Sequence, residues 1–410
     1  VASSLPELAY VWTWLPGATE PVVAGRLDDQ PATTTFTYAL SYRRRSDAIP
    51  LYLPELPLRP GAQQPELLPA HGCILDAGPD AWARRVIERR RAPTSSDLDV
   101  DLNEVTYLLE SASDRTGALD FQPTRDEFVA RGDDAADLEL LLDATDAMEV
   151  PGPLPTALDL ALLHGTSVGG ARPKATLRRG GVDVIAKFPS STDVQPTVKL
   201  EHLAMTLARE AGLDVARVRL VPVAGRAVFV VDRFDRPGDG TRRAMVSART
   251  ILRLTETGIG ASYLDLADEA RRRFTEPERT VHEMFARMTF NVLVGNTDDH
   301  ARNHAAFWDG EHLTLTPAFD IEPRPRRGRE AGQAMAVHRN GDNASRLDLC
   351  VQSADSFLLS PGEARATIDR QIAAIEDGWD AACDASHLTE DERAPLRGRQ
   401  FLNAYAFEGY

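Results

Sequence analysis

Asp298, Asn303 and Asp320 are the residues best equipped for chemistry, and they occur in that order in GNTDDHARN (295 to 303) and AFD (318 to 320). Moving a phosphoryl group onto a hydroxyl requires a carboxylate to orient the attacking oxygen. It also requires an amide and a second carboxylate to hold Mg2+, and a cation on the nucleotide phosphates. The three residues supply the acid, the amide and the second acid, and Lys187 at the end of the strand-like VDVIAKF supplies the cation. His300 and Arg302 lie between the first acid and the amide and count with them as nucleotide-contact candidates.

Asp298 and Asp299 compete for the first role. Protein kinases place the catalytic Asp five residues before the Mg-binding Asn, a spacing that Asp298 meets and Asp299 does not. Singly, each residue has an ordinary reading: an aspartate caps a helix, an Asn sits in a turn, a histidine is satisfied in the interior. Order and spacing together point to a nucleotide site. A metal hydrolase built on Asp298, Asp299 and His300 lacks enough further His and Asp at ligand spacing.

Upstream, GTSVGGARPKATL (165 to 177) offers paired glycines whose backbone N–H groups can approach an anion, with Ser167, Val168, Gly169, Gly170 and Ala171 as the loop. It is not a Walker A sequence, and an ordinary turn fits it too. The only lysines in the chain, Lys174, Lys187 and Lys199, fall in this neighbourhood among 46 basic residues. Arg cannot replace Lys where a compact ammonium must reach a phosphate. A lysine among apolar neighbours needs a counter-charge, which a phosphate or a carboxylate supplies.

Elements must position these groups. VKLEHLAMTLAREAGL (198 to 213) reads as an amphipathic helix with Leu200, Leu203, Leu207 and Ala211 as its packed stripe and Gly212 as its stop. Glu201, near its start, is the candidate partner for Lys187, or simply complements the helix dipole. VFVVDRFDR (228 to 236) is a strand that ends in charge, and backbone groups near Asp232 to Phe234 are placed to take adenine. VHEMFARMTFNVLV (281 to 294) is an apolar helix running into the 295 to 303 loop, and Asp309-Gly310 is a favoured two-residue hairpin turn.

The first segment alternates apolar and polar residues at 9 to 14 and 35 to 38, which predicts antiparallel strands. Helical periodicity follows at 80 to 91, 102 to 111 and 135 to 148. VPGPLP (150 to 155) marks a boundary. These signals give three segments: 1–150, a small sheet plus helices; 151–236, strand-rich; and 237–410, mostly helical. Hydrophobic residues at 43%, charged residues at 26% and no long apolar run predict a soluble globular chain. The opening VASSLPELAY resembles no secretory signal, and three scattered cysteines fit reduced thiols, so a cytoplasmic location with no membrane contact is expected. The net charge of -16 opposes a direct electrostatic grip on nucleic acid.

At these residues the chain resembles the HipA-like kinases, the toxin halves of bacterial toxin-antitoxin pairs. SVGGARPKATL matches the phosphate loop, VIAKF the ATP lysine, VDRFDR the hinge, NTDDHARNH the catalytic loop and LTPAFDI the metal-binding aspartate. PDAWARRVIERR and DRTGALDF, around Gly117, extend the likeness over nearly the whole chain. The resemblance implies an α+β fold, bilobal and protein-kinase-like, with an N-terminal β-rich subdomain and a mostly helical C-terminal lobe. It implies ATP and Mg2+, a protein hydroxyl as acceptor with aminoacyl-tRNA synthetases among the family's targets, and a small helix-turn-helix antitoxin through which DNA is contacted. It also implies inhibitory autophosphorylation at Ser167. The stretch AMVSARTILRL (244 to 254) lacks the Glu-Asp-Phe-Cys run of well-studied members, which leaves the target open. A kinase-fold corepressor or a small-molecule kinase is the alternative. The basic run RPRRGR (324 to 329) is either a solvated loop or a docking surface for an acidic partner or tRNA.

Overall fold

The computed structural model describes residues 5–91, 102–132, 137–150, 155–255, 258–326 and 328–410. Packing divides the chain into two compact units, one of Val1–Thr192, Pro222–Val246 and Phe307–Glu311, the other of Asp193–Val221, Ser247–Ala306 and His312–Tyr410.

The first unit opens with strands β1 (Leu8–Thr13), β2 (Val22–Asp29) and β3 (Thr34–Tyr38), followed by the short β4 (Ala62–Gln63) and by β5 (Leu119–Gln122). They form one sheet in the order β4-β3-β2-β1-β5, and every pairing is antiparallel. The alternation in the sequence is therefore realised, although Thr34 and Thr35 of β3 are buried as well as Phe36 and Tyr38, so both faces of that strand are covered. Gly25 lets β2 and β3 close up, since a Cβ there would stand 2.3 Å from the Thr37 carbonyl oxygen. Helix Ala81–Arg91 buries Trp82, Ala83, Val86 and Ile87 on one face. Asn103 caps helix Glu104–Glu110 by accepting from the Thr106 N–H. Of the helix expected at 135 to 148, Leu138–Met148 is present, and residues 133–136 lie outside the described residues. So do 151–154 of the expected boundary.

The second sheet holds β6 (Lys174–Arg179), β7 (Val182–Lys187), β8 (Val218–Val223) and β9 (Arg226–Asp232), in the order β6-β7-β9-β8. Arg179 pairs with Val182, so β6 and β7 turn on Gly180 and Gly181 alone. Both glycines have positive φ, 58° and 83°, the geometry a tight two-residue hairpin demands.

In the second unit, helix Pro277–Val294 is the central element. Met284, Phe285, Met288, Phe290, Val292 and Leu293 are all buried along it. It packs on helices Tyr263–Arg273 and Pro361–Ala385, and the latter also receives helix Thr197–Glu210. Proline opens the central helix and Gly295 ends it in the left-handed region at φ 69°. The expected stripe Leu200, Leu203 and Leu207 is buried, while Ala211 is only the C-cap and Gly212 follows it at φ 87°.

Strands β10 (Met245–Ser247), β11 (Ala305–Trp308) and β12 (Leu313–Leu315) form a third sheet in that order. The β11–β12 connection is four residues long rather than the two expected, because the Asp309 carboxylate accepts the Glu311 N–H and opens the turn. Among the described residues no helix is long and apolar enough to cross a membrane. Cys73, Cys350 and Cys383 are buried free thiols.

Candidate active site

The loop from Ser167 to Ala171 belongs to the first unit and is clasped by the start of helix Ala81–Arg91. The Gly170 N–H donates to the Asp80 carboxylate (3.2 Å) and its carbonyl accepts the Trp82 N–H (3.1 Å). Arg85 donates to the Ala171 carbonyl (3.2 Å), and Lys174 folds its ammonium onto the Gly169 carbonyl (2.6 Å). Only glycine fits at 170, where φ is 116° and a Cβ would sit 2.0 Å from Lys174 Nζ. Val168 is buried, and so is Ser167, whose hydroxyl lies 3.3 Å from that of Thr176.

Lys174 stands directly opposite Lys187 in the β6–β7 ladder, which puts both side chains on one face, and both are buried. Lys187 holds its ammonium 5.8 Å from the centre of the Phe229 ring. Like charges opposite one another weaken a sheet, and the Lys174 ammonium is drawn to the Gly169 carbonyl. Lys199, the third lysine, does other work, pairing with Glu392 at 2.9 Å in the second unit.

Asp232 closes β9 opposite Val184, and the Arg233 N–H continues the ladder by donating to the Asp183 carbonyl (2.9 Å). That donor is thus committed to the sheet rather than offered to a base. The Phe234 ring meets Phe307 edge-on at 5.9 Å. The remaining charges of VDRFDR form a buried network that the sequence reading missed. Arg233 grips Asp235 through two nitrogens (3.0 and 2.7 Å), the Asp114 carboxylate (2.6 Å) and the Arg115 carbonyl (2.6 Å). Asp235 also accepts the Gly117 N–H (2.8 Å) and Arg236 Nη1 (2.9 Å). Burial pushes Asp235 toward its neutral form, but Arg233 and Arg236 outweigh it and hold the carboxyl well below its ordinary range. DRTGALDF and VDRFDR are therefore halves of one ionic joint. The signal in the sequence was their shared pattern of Asp and Arg.

In the second unit, the loop after Gly295 is tied down before it reaches its acids. Asn296 donates to the Asn291 side chain (2.9 Å), and its carbonyl accepts from Gln333 (3.0 Å). The two adjacent aspartates then part. The Asp299 side chain is 4% exposed and its Oδ2 accepts from the Tyr263 hydroxyl, from Asn291 (2.7 Å) and from His304 Nε2 (2.8 Å). Burial, reinforced by Asp299, pushes the Tyr263 phenol well up, so it stays a donor. The Asp298 side chain is 51% exposed and accepts from the Arg324 guanidinium.

Asn303 is buried, and its side-chain nitrogen reaches back to the Asp298 carbonyl (3.5 Å). Its N–H closes a turn on the His300 carbonyl (2.8 Å). His300 and Arg302 are partly exposed on that turn. Asp320 is partly exposed and has φ 60°, a strained setting for a residue with a side chain. Its neighbour Ala318 is pinned on both sides, donating to the Asp214 carbonyl (2.7 Å) and accepting the Ala216 N–H (2.9 Å). Glu201 is buried on helix Thr197–Glu210 of the same unit.

In the basic run, Arg326 is buried and donates to the Arg329 carbonyl (3.1 Å), Arg329 pairs with Glu408, and residue 327 lies outside the described residues. Among the described residues no group of three or more His, Cys, Asp or Glu is arranged to hold a metal ion. Asn303 and Asp320, on separate segments of this unit, each offer a hard oxygen donor. That suits Mg2+, which typically takes one or two protein ligands plus phosphate and water, and does not suit zinc.

The helices and sheets of the two units make up a mixed helix-and-sheet fold of the HipA kinase-like kind. HipA of Shewanella oneidensis MR-1, solved with HipB and operator DNA, superposes with a TM-score of 0.69 over 97% of this chain and 98% of that one, at 20% identity. Residues 166–379, more than half of the chain, match the HipA-like C-terminal domain, and the chain belongs to that family. Toxin YjjJ of Escherichia coli is 27% identical over 183 residues, 41% of this chain and 40% of that protein. The serine/threonine-protein kinase toxin HipA of S. oneidensis is 28% identical over 183 residues, 38% of this chain and 42% of that protein. The chain spans between 40% and 61% of the length of the first curated relatives it matches.

Proposed function

We propose that this chain is a serine/threonine protein kinase that transfers the γ-phosphoryl group of Mg·ATP to a protein hydroxyl. The observation that carries the reading is the division of labour between neighbouring acids. Asp299 is sealed in a network of three donors, while Asp298 faces outward with Asn303 fastened to its own main chain. A carboxylate that must meet a macromolecular hydroxyl has to be exposed, and one that shapes a loop has to be buried.

In the proposed reaction, Asp298 accepts the hydroxyl proton as the target oxygen bonds to the γ-phosphorus. The bond from that phosphorus to the β,γ-bridging oxygen breaks, and ADP leaves with its electron pair. Asn303 and Asp320 would hold Mg2+, which supplies charge neutralisation on the phosphates when bound. Lys187, supported by Lys174, aligns the nucleotide, and the Ser167 to Ala171 loop covers it. Phosphorylation of Ser167 would require this loop to leave its present seat, because the hydroxyl is buried against Thr176.

A small helix-turn-helix antitoxin is the partner this reading favours, since the matching S. oneidensis structure contains HipA, HipB and operator DNA. With a net charge of -16, any contact with DNA would run through that partner. An aminoacyl-tRNA synthetase is the acceptor class to try first, and the cytosol is where both would be met.

Asp298→Ala should retain ATP binding and lose transfer by about two to three orders of magnitude. Asp320→Ala should lose metal-dependent binding too. Label transfer from γ-labelled ATP to proteins of a cell extract, with nucleotide affinity measured in parallel, tests both. An Asp298→Ala protein that labels at the wild-type rate overturns the assignment, and a wild type that consumes no ATP leaves a corepressor.

A further inference from the structure

We infer that Arg324 is the positioning cation of the transfer step, holding Asp298 in its working orientation and offering its remaining N–H groups to the phosphoryl oxygens. The inference rests on the kinase reading above. It comes from the one described side chain that bonds to the Asp298 carboxylate.

An exposed ion pair is ordinarily worth little, because two mobile side chains must be held together. Here one partner is fixed. The Arg324 N–H donates to the Gly295 carbonyl (3.0 Å), at the start of the catalytic loop, and the preceding Pro323 carbonyl accepts from Gln195 (2.8 Å). Arg324 Nη1 is also paired with Glu322 (2.9 Å), whose side chain is 9% exposed. Main chain and a mostly buried carboxylate thus aim the guanidinium at Asp298, which it meets through Nη2 on Oδ2. A carboxylate accepts on both oxygens. Arg324 on Oδ2 leaves Oδ1 to take the target hydroxyl.

The charges need such a residue. Asp298, Asp320 and Glu322 bring three carboxylates to these two segments before any triphosphate arrives. The transferring phosphoryl group spreads negative charge over its equatorial oxygens, and a guanidinium fork matches them better than a lone ammonium does. Arg326 and Arg329 of the same run are turned to other partners, Arg329 to Glu408 at the surface. Of the described arginines of the run, Arg324 is the one that bonds to Asp298, and the chemical task is assigned to it.

The test compares wild type, Arg324→Ala, Arg324→Lys, Arg329→Ala and Asp298→Ala for labelling of extract proteins from γ-labelled ATP, with kcat and the KM for ATP separated. Arg324→Ala should lower kcat about 100-fold with the KM changed less than about threefold. Arg324→Lys should fall between, and Arg329→Ala should match wild type. Arg324→Ala also takes a partner from the mostly buried Glu322 carboxylate, so some loss of thermal stability is expected and kcat is read well below the unfolding transition, with Arg324→Lys as the variant that keeps a cation there. A kcat for Arg324→Ala within about twofold of wild type, or above it, overturns the inference. If that occurs while Asp298→Ala is inactive, the kinase reading stands. If wild type and Asp298→Ala are equally inactive, the kinase reading fails and this inference with it.

Discussion

The adjacent aspartates show how far residue identity alone carries the argument. The five-residue spacing to Asn303 singled out Asp298, and the geometry supports the choice for a reason that spacing does not contain. Asp299 accepts from Tyr263, Asn291 and His304 in a buried site. An amide there could not satisfy all three donors, and an unmet buried donor costs about 1–3 kcal/mol. Asp299→Asn is therefore expected to destabilise the protein by about 2 kcal/mol in urea unfolding, whereas Asp298→Asn should leave the midpoint unchanged. Equal midpoints for both variants would mean that the buried network contributes nothing. The roles proposed for Asp298, Asn303 and Asp320 come from the sequence, because that chemistry demands particular side chains at particular spacing. The role of Asp299 was not legible there, because Tyr263 lies 36 residues away and only folding brings it in.

At the scale of elements, the strand that ends at Lys187 and the central helix could be read from VDVIAKF and from the apolar run that stops at Gly295. A Cβ at 295 would stand 2.7 Å from the Gln400 carbonyl, so glycine is needed there for space as well as for its φ. The three-residue β10 and the widened Asp309 turn were not legible, since neither is long enough to show a period. Nor was the clasp on the loop proposed to cover the nucleotide. The Asp80 carboxylate accepts from the Ala81 N–H through one oxygen (2.9 Å) and from the Gly170 N–H through the other. It therefore occupies an N–H that a phosphate oxygen would use, and its negative charge opposes the incoming nucleotide. Asp80→Asn should tighten ATP binding several-fold and ADP binding less, with adenosine unchanged. Titration calorimetry with the three ligands reads this directly, and a uniform change across them would point to loosened packing instead of relieved repulsion.

For the molecule as a whole, stability rests on joints that sequence separates widely, such as the one between Asp114 to Gly117 and Arg233 to Arg236. Breaking a buried ion pair by removing one partner costs about 3–5 kcal/mol, which is why such joints are legible only as repeated Asp and Arg until the fold is known. Two buried histidines add a pH dependence. Burial lowers the pKa of His71 and His202 from 6.5 to about 4, with His387 and Arg209 adding to the effect on His202. Both are neutral in the native protein. As pH falls through 6.5 the unfolded chain takes up protons that the folded chain refuses until about 4, so stability should decline across that window and be flat above about pH 7.5. Denaturant midpoints from pH 8 to 4 test the sign, and His202→Gln should reduce the slope. A midpoint that rises as the solution is acidified from 6.5 would contradict it.

The central claim is that Asp298 acts on the attacking hydroxyl and on nothing else. Single-turnover transfer of the γ-phosphoryl group to extract proteins by Asp298→Asn, alongside its affinity for Mg·ATP, measures this most directly. The expected result is unaltered nucleotide affinity with transfer reduced by at least about 100-fold. Transfer at the wild-type rate, or loss of nucleotide binding in step with transfer, would contradict it.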